Sequence, residues 1–348
     1  MRFPAFTHRP ADPGRRRGLV ATLASAAALL APRAGLAQAG GAPEATELRY
    51  LAAPSRVTFP ELAEHLGYLG PVALRAVGTA TGGPQSLQSV VTGDSDFGSS
   101  FNGSLLNLRA ARAPIKAVVS YYGTDKDTWR GLYVLEGSPV RSARDLVGKK
   151  IAVNTLGAYF EFIVKEYLRR GGVSAEDAKK VTLVPLPFIS TEQALREGVI
   201  DAAVLEDVFR ERALERGGVR LLQSDHDLLG PFQAATIALH ERFIQKNPNT
   251  TRLFVAGTAR AIEWTREHPR AEVIATFKEI IAKRKRANEV TTVVDFWRSP
   301  GVGVKGGVIQ EREFTLFLDW LVANGQIKPG LLQAQDAYTN AFNPYAQG

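Results

Sequence analysis

The sequence predicts an α/β fold in two lobes, and three observations lead there. Short β-branched or apolar runs alternate with amphipathic helical runs along residues 48–324, the pattern of parallel or mixed sheets whose faces are covered by helices. The alternation falls into two βα units with no low-complexity linker between them, which suggests lobes joined by crossing strands rather than beads on a string. About 309 residues follow an N-terminal leader, enough for two lobes of roughly 150 residues each.

Leu48–Ala52 reads as the first strand. Phe59–Leu69 reads as a helix because Phe59, Leu62, Ala63, Leu66 and Leu69 share one face. Val72–Val77 is a strand, and Gly82–Val91 a helix opened by Thr81, with Pro84 tolerated in the first turn. Asp96-Phe97-Gly98 ends a short strand, Asn102–Ala110 is a helix, and Ile115–Tyr122 and Gly131–Glu136 are strands. A second unit starts after Pro139, with a short helix at Ser142–Leu146 and a strand at Lys150–Val153. That strand runs into Asn154-Thr155-Leu156-Gly157, and Ala158–Arg170 is a long helix stopped by Gly171-Gly172. Val181–Pro185, Ala202–Leu205 and Val219–Leu222 are strands, alternating with helices at Thr191–Glu197 and Asp207–Arg216. Thr236–Leu239 is a strand leading into a helical tail at Glu241–Lys246, Thr250–Glu267, Ala271–Ile281 and Ile309–Asn324.

Residues 1–39 read as a signal peptide. Arg16-Arg17 precedes the run Leu19–Leu30, almost all Ala, Leu and Val, and Pro32-Arg33 and Ala37-Gln38-Ala39 follow. These are the basic, apolar and small-residue regions of an export leader, in order. The apolar run is shorter than the roughly 20 residues that span a bilayer. Arg33 behind that run suits the twin-arginine route, so export to a bacterial periplasm is expected.

The leader accounts for most of the basic charge. It holds six Arg and one Asp, so the chain's net +8 falls to +3 without it. So small a charge leaves no footprint for nucleic acid. The densest basic run, Lys283-Arg284-Lys285-Arg286, lies in a helical stretch and reads as a solvated face. The chain has no Cys, which excludes disulfides, thiolate nucleophiles, thiolate metal sites and a lipid-bearing cysteine. A freely soluble protein is expected.

Catalytic and nucleotide motifs fail on context. Gly301-Val302-Gly303-Val304-Lys305-Gly306 fits G-x-G-x-x-G but follows Ser299-Pro300 in the helical tail, where the fingerprint needs a strand before it and a helix inside it; it reads as a flexible loop. The five His (8, 65, 226, 240, 268) lack metal-ligand spacing. Asp225-His226-Asp227 reads as a polar turn. Glu206-Asp207 at a strand end is either a helix N-cap or a ligand group. No acid–base constellation stands out, so no enzyme is expected.

Four segments carry a family resemblance: Gln88–Gly98 (Q-S-V-V-T-G-D-S-D-F-G), Ser138–Val153 (S-P-V-R-S-A-R-D-L-V-G-K-K-I-A-V), Ala194–Ala203 (A-L-R-E-G-V-I-D-A-A) and Arg242–Pro248 (R-F-I-Q-K-N-P). Together they resemble the periplasmic solute-binding proteins of bacterial ABC importers, in the group that handles aliphatic sulfonates, taurine, nitrate and thiamine-pyrimidine precursors. The resemblance covers nearly all of residues 47–345. It implies a type II-like two-lobed fold with a hinge and an interlobe cleft. Residues 40–135 would start lobe one, 136–235 form lobe two and 236–348 return to lobe one, with the hinge near Tyr133–Leu135 and Thr236–Leu239. Two segments depart from the family: Glu206-Asp207 stands where many relatives have Glu-Pro, and Ala53–Phe59 fits no ligand subclass.

In open α/β sheets ligands lie beyond the carboxyl ends of strands, where helices begin. Those ends hold Ser55, Arg56 and Phe59; Thr81 and Gly82; Ser99, Ser100, Phe101 and Asn102; Tyr121 and Tyr122; Asn154, Thr155, Gly157, Ala158, Tyr159 and Phe160; and Glu206. Hydroxyls and backbone N–H groups at helix starts suit an anion. Arg56 reads as a carboxylate or sulfonate clamp or as a solvated loop arginine, and the aromatics as core or as a lining for an apolar ligand body. The resemblance implies a monomer that captures a small organic anion by hinge closure and delivers it to a membrane permease, with no cofactor and no metal. A ligand-sensing subunit is the alternative. An enzyme on the same fold is the weaker one, because the enzymes that resemble this group depend on cysteine.

Overall fold

The structure is a computed structural model, and it describes residues 41–80, 82–286 and 289–347. The expected leader and Thr81 lie outside the described residues. The elements in chain order are β1 (Glu47–Ala52), α1 (Phe59–His65), β2 (Ala73–Thr79), α2 (Gly83–Thr92), β3 (Phe97–Phe101), α3 (Asn102–Ala110), β4 (Ile115–Thr124) and β5 (Gly131–Leu135). Then come β6 (Lys150–Val153), α4 (Tyr159–Arg170), α5 (Ala175–Ala178), β7 (Thr182–Pro185), α6 (Phe188–Arg196), β8 (Ala202–Leu205), α7 (Asp207–Glu215), β9 (Val219–Ser224) and α8 (Asp225–Leu229). The chain closes with β10 (Phe232–His240), α9 (Glu241–Lys246), α10 (Pro248–Glu267), α11 (Arg270–Arg284) and α12 (Glu311–Ala323).

Two halves follow from the strand pairing. One holds the parallel pair β1-β2 and a three-stranded sheet in the order β3-β10-β4, whose strands run antiparallel to β10. The other is a five-stranded sheet in the order β7-β6-β8-β5-β9, parallel across β7-β6-β8 and antiparallel where β5 joins. Local chemistry agrees with these elements. In β1, Leu48, Tyr50 and Ala52 are buried and alternate with more exposed neighbours, as one face of a strand requires. Helix α1 starts on a capping box between Thr58 and Glu61, with Pro60 in its first turn. It stops at His65, short of the expected Leu69, because Gly67 takes φ 71° and turns the chain.

The chain passes between the sheets at residues 125–130 and 225–231. Both crossings precede the segments expected to form the hinge: Tyr133–Leu135 pairs inside the five-stranded sheet, and Thr236–Leu239 pairs inside the three-stranded one. A third strand of chain joins them, since the Ser299 hydroxyl donates to Asp125 Oδ2 at 2.7 Å and Arg298 pairs with Glu211 of α7 at 3.2 Å. The apolar cores also meet. Phe101 of β3 packs on Tyr159 and Phe162 of α4, and Phe162 packs edge-on against Phe317 and Trp320 of α12, with centroids 4.9 and 5.1 Å apart.

Two loop readings change. The 301–306 segment is anchored rather than flexible: the Gly306 N–H donates to Glu263 Oε1 at 2.7 Å, and its carbonyl accepts from Asn343. Lys283–Arg286 is not a uniformly solvated face, because Arg284 and Arg286 turn inward to Glu61 and Tyr50.

Glu313 of α12 is 2% exposed and accepts hydrogen bonds from the backbone and side chain of Gln233 in β10. Burial pushes its pKa up from 4.5 to about 7. The folded state therefore favours the protonated carboxyl, and the stability this confers is present below pH 4.5 and lost as pH rises through 7. Melting temperature measured from pH 5 to 8.5 should fall for the parent chain relative to Glu313→Gln, by the equivalent of about 2–3 kcal/mol.

Candidate functional site

Helices α2, α3, α4 and α7 all begin without a side-chain cap, leaving first-turn N–H groups to other partners. Three of these starts meet at the junction of the halves. A Cβ added to Gly82, at the head of α2, would lie 3.0 Å from Thr155 Oγ1, in the turn before α4. The Ser104 hydroxyl of α3 donates to the Gly157 carbonyl of that same turn at 2.8 Å. The start of α7 is reached from the loop after β1: Arg56 Nη2 lies 2.7 Å from Glu206 Oε1, and Nη1 3.1 Å from Asp207 Oδ2. Helix α1 differs, because Thr58 and Glu61 already occupy its N-terminal donors.

Glu206 is shared. Its other oxygen accepts from Arg130 Nε at 3.1 Å, and both side chains are under a tenth exposed. Burial works to raise the Glu206 pKa, but Arg56 and Arg130 outweigh it and hold it below the ordinary value. Burial would likewise depress the arginines, and Glu206 reverses this, keeping both firmly charged. The Arg130 guanidinium stacks over Tyr122 at 4.9 Å. Its backbone N–H donates to Asp225 Oδ1 at 2.9 Å, and Asp225 Oδ2 accepts from Thr124 and from the Tyr159 hydroxyl at 2.6 and 2.8 Å. Burial raises the Asp225 pKa despite these donors. Both crossing segments are thus tied by one carboxylate.

The residues picked from sequence separate by what they touch. Arg56, Tyr121, Tyr122 and Glu206 come together: Tyr121 lies in the fields of Arg56 and Glu206. Gly82, Asn154, Thr155 and Gly157 border the same junction, where Asn154 Oδ1, Ser100 Oγ and Asn102 Oδ1 are buried with no hydrogen-bond partner among the described residues. Phe59, Phe101, Ala158, Tyr159 and Phe160 are buried in packing. Ser55 supports the loop, its hydroxyl accepting from the Val290 N–H at 2.9 Å. Thr81 lies outside the described residues.

Sequence reading missed Arg130, Asp225 and Phe188. Phe188 opens α6 one turn earlier than expected, beneath Arg56 at 5.8 Å and stacked on Phe209. Arg130 sits in a short Trp-Arg-Gly link without periodicity. Asp225, read as part of a polar turn, instead opens the short helix α8, which Ser224 caps, and it is fully buried. Two backbone positions favour the reading of these loops as built features: Ser55 and Asp207 both adopt left-handed conformations, at φ 57° and 45°, which non-glycine residues hold only when their surroundings enforce it. Among the described residues no group of His, Cys, Asp or Glu is arranged for a metal, and no helix is long and apolar enough to cross a membrane.

A two-lobed α/β protein with its polar centre between the lobes is the class that fold and site define. The NMT1/THI5-like family model matches residues 63–272, and the chain belongs to that family. A curated relative, the putative aliphatic sulfonates-binding protein of Escherichia coli (strain K12), is 30% identical over 148 residues, which span 42% of this chain and 44% of the relative. The alkanesulfonate-binding protein SsuA from Xanthomonas axonopodis pv. citri, bound to MOPS, superposes with a TM-score of 0.66 at 20% identity, covering 85% of this chain and 99% of that one. The periplasmic nitrate-binding protein NrtA from Synechocystis PCC 6803 superposes with a TM-score of 0.68 at 12% identity, covering 88% and 90%. The fold is the two-lobed periplasmic-binding-protein fold. The desulfurization enzyme DSZB shares it at a TM-score of 0.60 and 16% identity, over 87% of this chain and 99% of that one.

Glu206→Gln removes the charge that two arginines share. Breaking a buried pair from one side costs about 3–5 kcal/mol, which urea unfolding at pH 7 should show. Because the Glu206 pKa is lowered, its stabilisation is complete above 4.5 and drains away as pH falls. The gap between parent and variant should therefore narrow in acid.

Proposed function

We propose that this protein is the periplasmic substrate-binding component of an ABC-type importer, exported by the twin-arginine route, that captures a small organic anion and presents it to a membrane permease. The convergence of uncapped helix starts on one polar junction supports this reading most directly. Family membership adds to it, as do the sulfonate- and nitrate-binding functions named for the relatives.

The anionic head would take donors from the first turns of α2 and α4, from Thr155 and the Asn154 amide, and from Ser99 and Ser100. Arg56 would swing partly from Glu206 to the ligand. Tyr121, Tyr122 and Phe188 would flank an aliphatic or aromatic body, with Phe101, Tyr159 and Phe160 as the packed wall behind. Micromolar binding needs about −8 kcal/mol. Charge-assisted hydrogen bonds supply about 1.5–3 kcal/mol each, and a helix terminus roughly 0.3–1. Four such bonds and two termini cover this, less the cost of closure.

A thermal-shift screen of residues 40–348 tests the reading with taurine, alkyl and aryl sulfonates, aromatic carboxylates, nitrate, bicarbonate and pyrimidines. A ligand at 100 times its Kd should stabilise by about 2.7 kcal/mol. Flat curves from a folded protein would reject the anion reading, and turnover of a hit would favour an enzyme. For the hit, Arg56→Ala should weaken binding by about 10- to 100-fold in calorimetry.

A further inference from the structure

Arg56 leaves its loop immediately after Ser55, whose left-handed φ of 57° is unusual for serine. The contacts that enforce this turn come from a distant part of the chain. The Ser55 N–H donates to Glu289 Oε1 at 3.2 Å, and its hydroxyl accepts from Val290. Glu289 is gripped by Arg284, through Nε to Oε2 at 2.7 Å and Nη2 to Oε1 at 2.6 Å. The same Nη2 donates to the Arg56 carbonyl at 2.8 Å. Arg284 Nη1 donates to Glu61 at 2.9 Å, and Glu61 caps α1 by accepting from the Thr58 N–H. One guanidinium therefore braces both ends of the Ser55–Thr58 loop. It is also shielded, with its side chain 10% exposed and both carboxylates 4% exposed.

We propose that Arg284 is a positioning residue for the cleft: its guanidinium fork sets the left-handed Ser55 turn, and so aims Arg56 across the interlobe junction at Glu206 and Asp207. The assignment rests on the reading of that junction as the ligand site only for its consequence on affinity. The geometry requires arginine. Its planar fork satisfies two carboxylates and a carbonyl at fixed angles, whereas a lysine ammonium is a single point of charge on a flexible stem. Lys285 takes a left-handed φ of 47° at the end of α11, and Arg286 beyond it reaches the same Glu61 at 2.9 Å.

The test is a double-mutant cycle between Arg56→Ala and Glu206→Gln, read by urea unfolding, in the parent chain and again in Arg284→Lys. No ligand enters it, so it stands or falls separately from the anion screen. In the parent chain the pair should be coupled by about tenfold or more in the unfolding constant. In Arg284→Lys, with native circular dichroism, the coupling should drop to about twofold or less. A merely stabilising Arg284 would lower the stability of all four chains equally and leave the coupling at its parent value, which would overturn the proposal. If Arg284→Lys does not fold, Glu289→Gln takes its place: loss of the coupling supports the positioning role, and its persistence overturns it.

Discussion

A single carboxylate, Glu206, is held between Arg56 from one half and Arg130 from the crossing segment, and the geometry of the junction depends on it. A lone buried charge of either sign would cost several kcal/mol. Here Glu206 and Arg130 are buried against each other, and the half-exposed Arg56 adds a second positive charge from the loop after β1. Arg130 extends the link to Asp225 through its backbone, so both crossing segments and the start of α7 share one polar knot. Helix α7 carries the connection outward. Arg210 donates to the Trp129 carbonyl at 2.6 Å and stacks on its ring, while Glu211 reaches Arg298. A ligand that draws Arg56 away from Glu206 therefore acts on a helix already fastened to the crossing segment and to the third strand of chain beside it.

The polar knot is accompanied by a second kind of contact between the halves. The other is apolar, where Phe101 and Phe317 meet Tyr159 and Phe162. Aromatic packing of this kind is non-directional compared with an ion pair, so it can persist while polar partners exchange. This division gives the junction a polar side at Arg56 and a packed side under α4 and α12.

Much of the architecture was legible in local pattern. The spans expected for α3, β6, β8 and α9 coincide with the elements found, since each is bounded by a sharp change in periodicity or a charged turn. Strand β10 runs nine residues where four were expected, because its flanking Phe232, Gln233 and Ala235 gain strand character only by pairing with neighbours far away in sequence. The candidate site was half legible. Strand-end reasoning picked out Arg56, Tyr121, Asn154 and Glu206, which border the junction of the halves and whose positions follow from the βα rule. It could not find Arg130 or Arg284. Their importance lies in partners 76 and 223 residues distant, and a basic run looks the same from sequence whether its side chains face water or turn inward.

We propose that ligand binds where Arg56, the Asn154 turn and the head of α7 meet. A crystal structure with the strongest hit of the anion screen tests it most directly. Ligand density is expected in that junction, with the anionic group on the first turns of α2 and α4 and the Arg56 guanidinium turned toward it. Density elsewhere would contradict it, for example in the cavity of about 430 Å³ bordered by Arg266, Arg270 and Trp297, with the Arg56–Glu206 pair undisturbed.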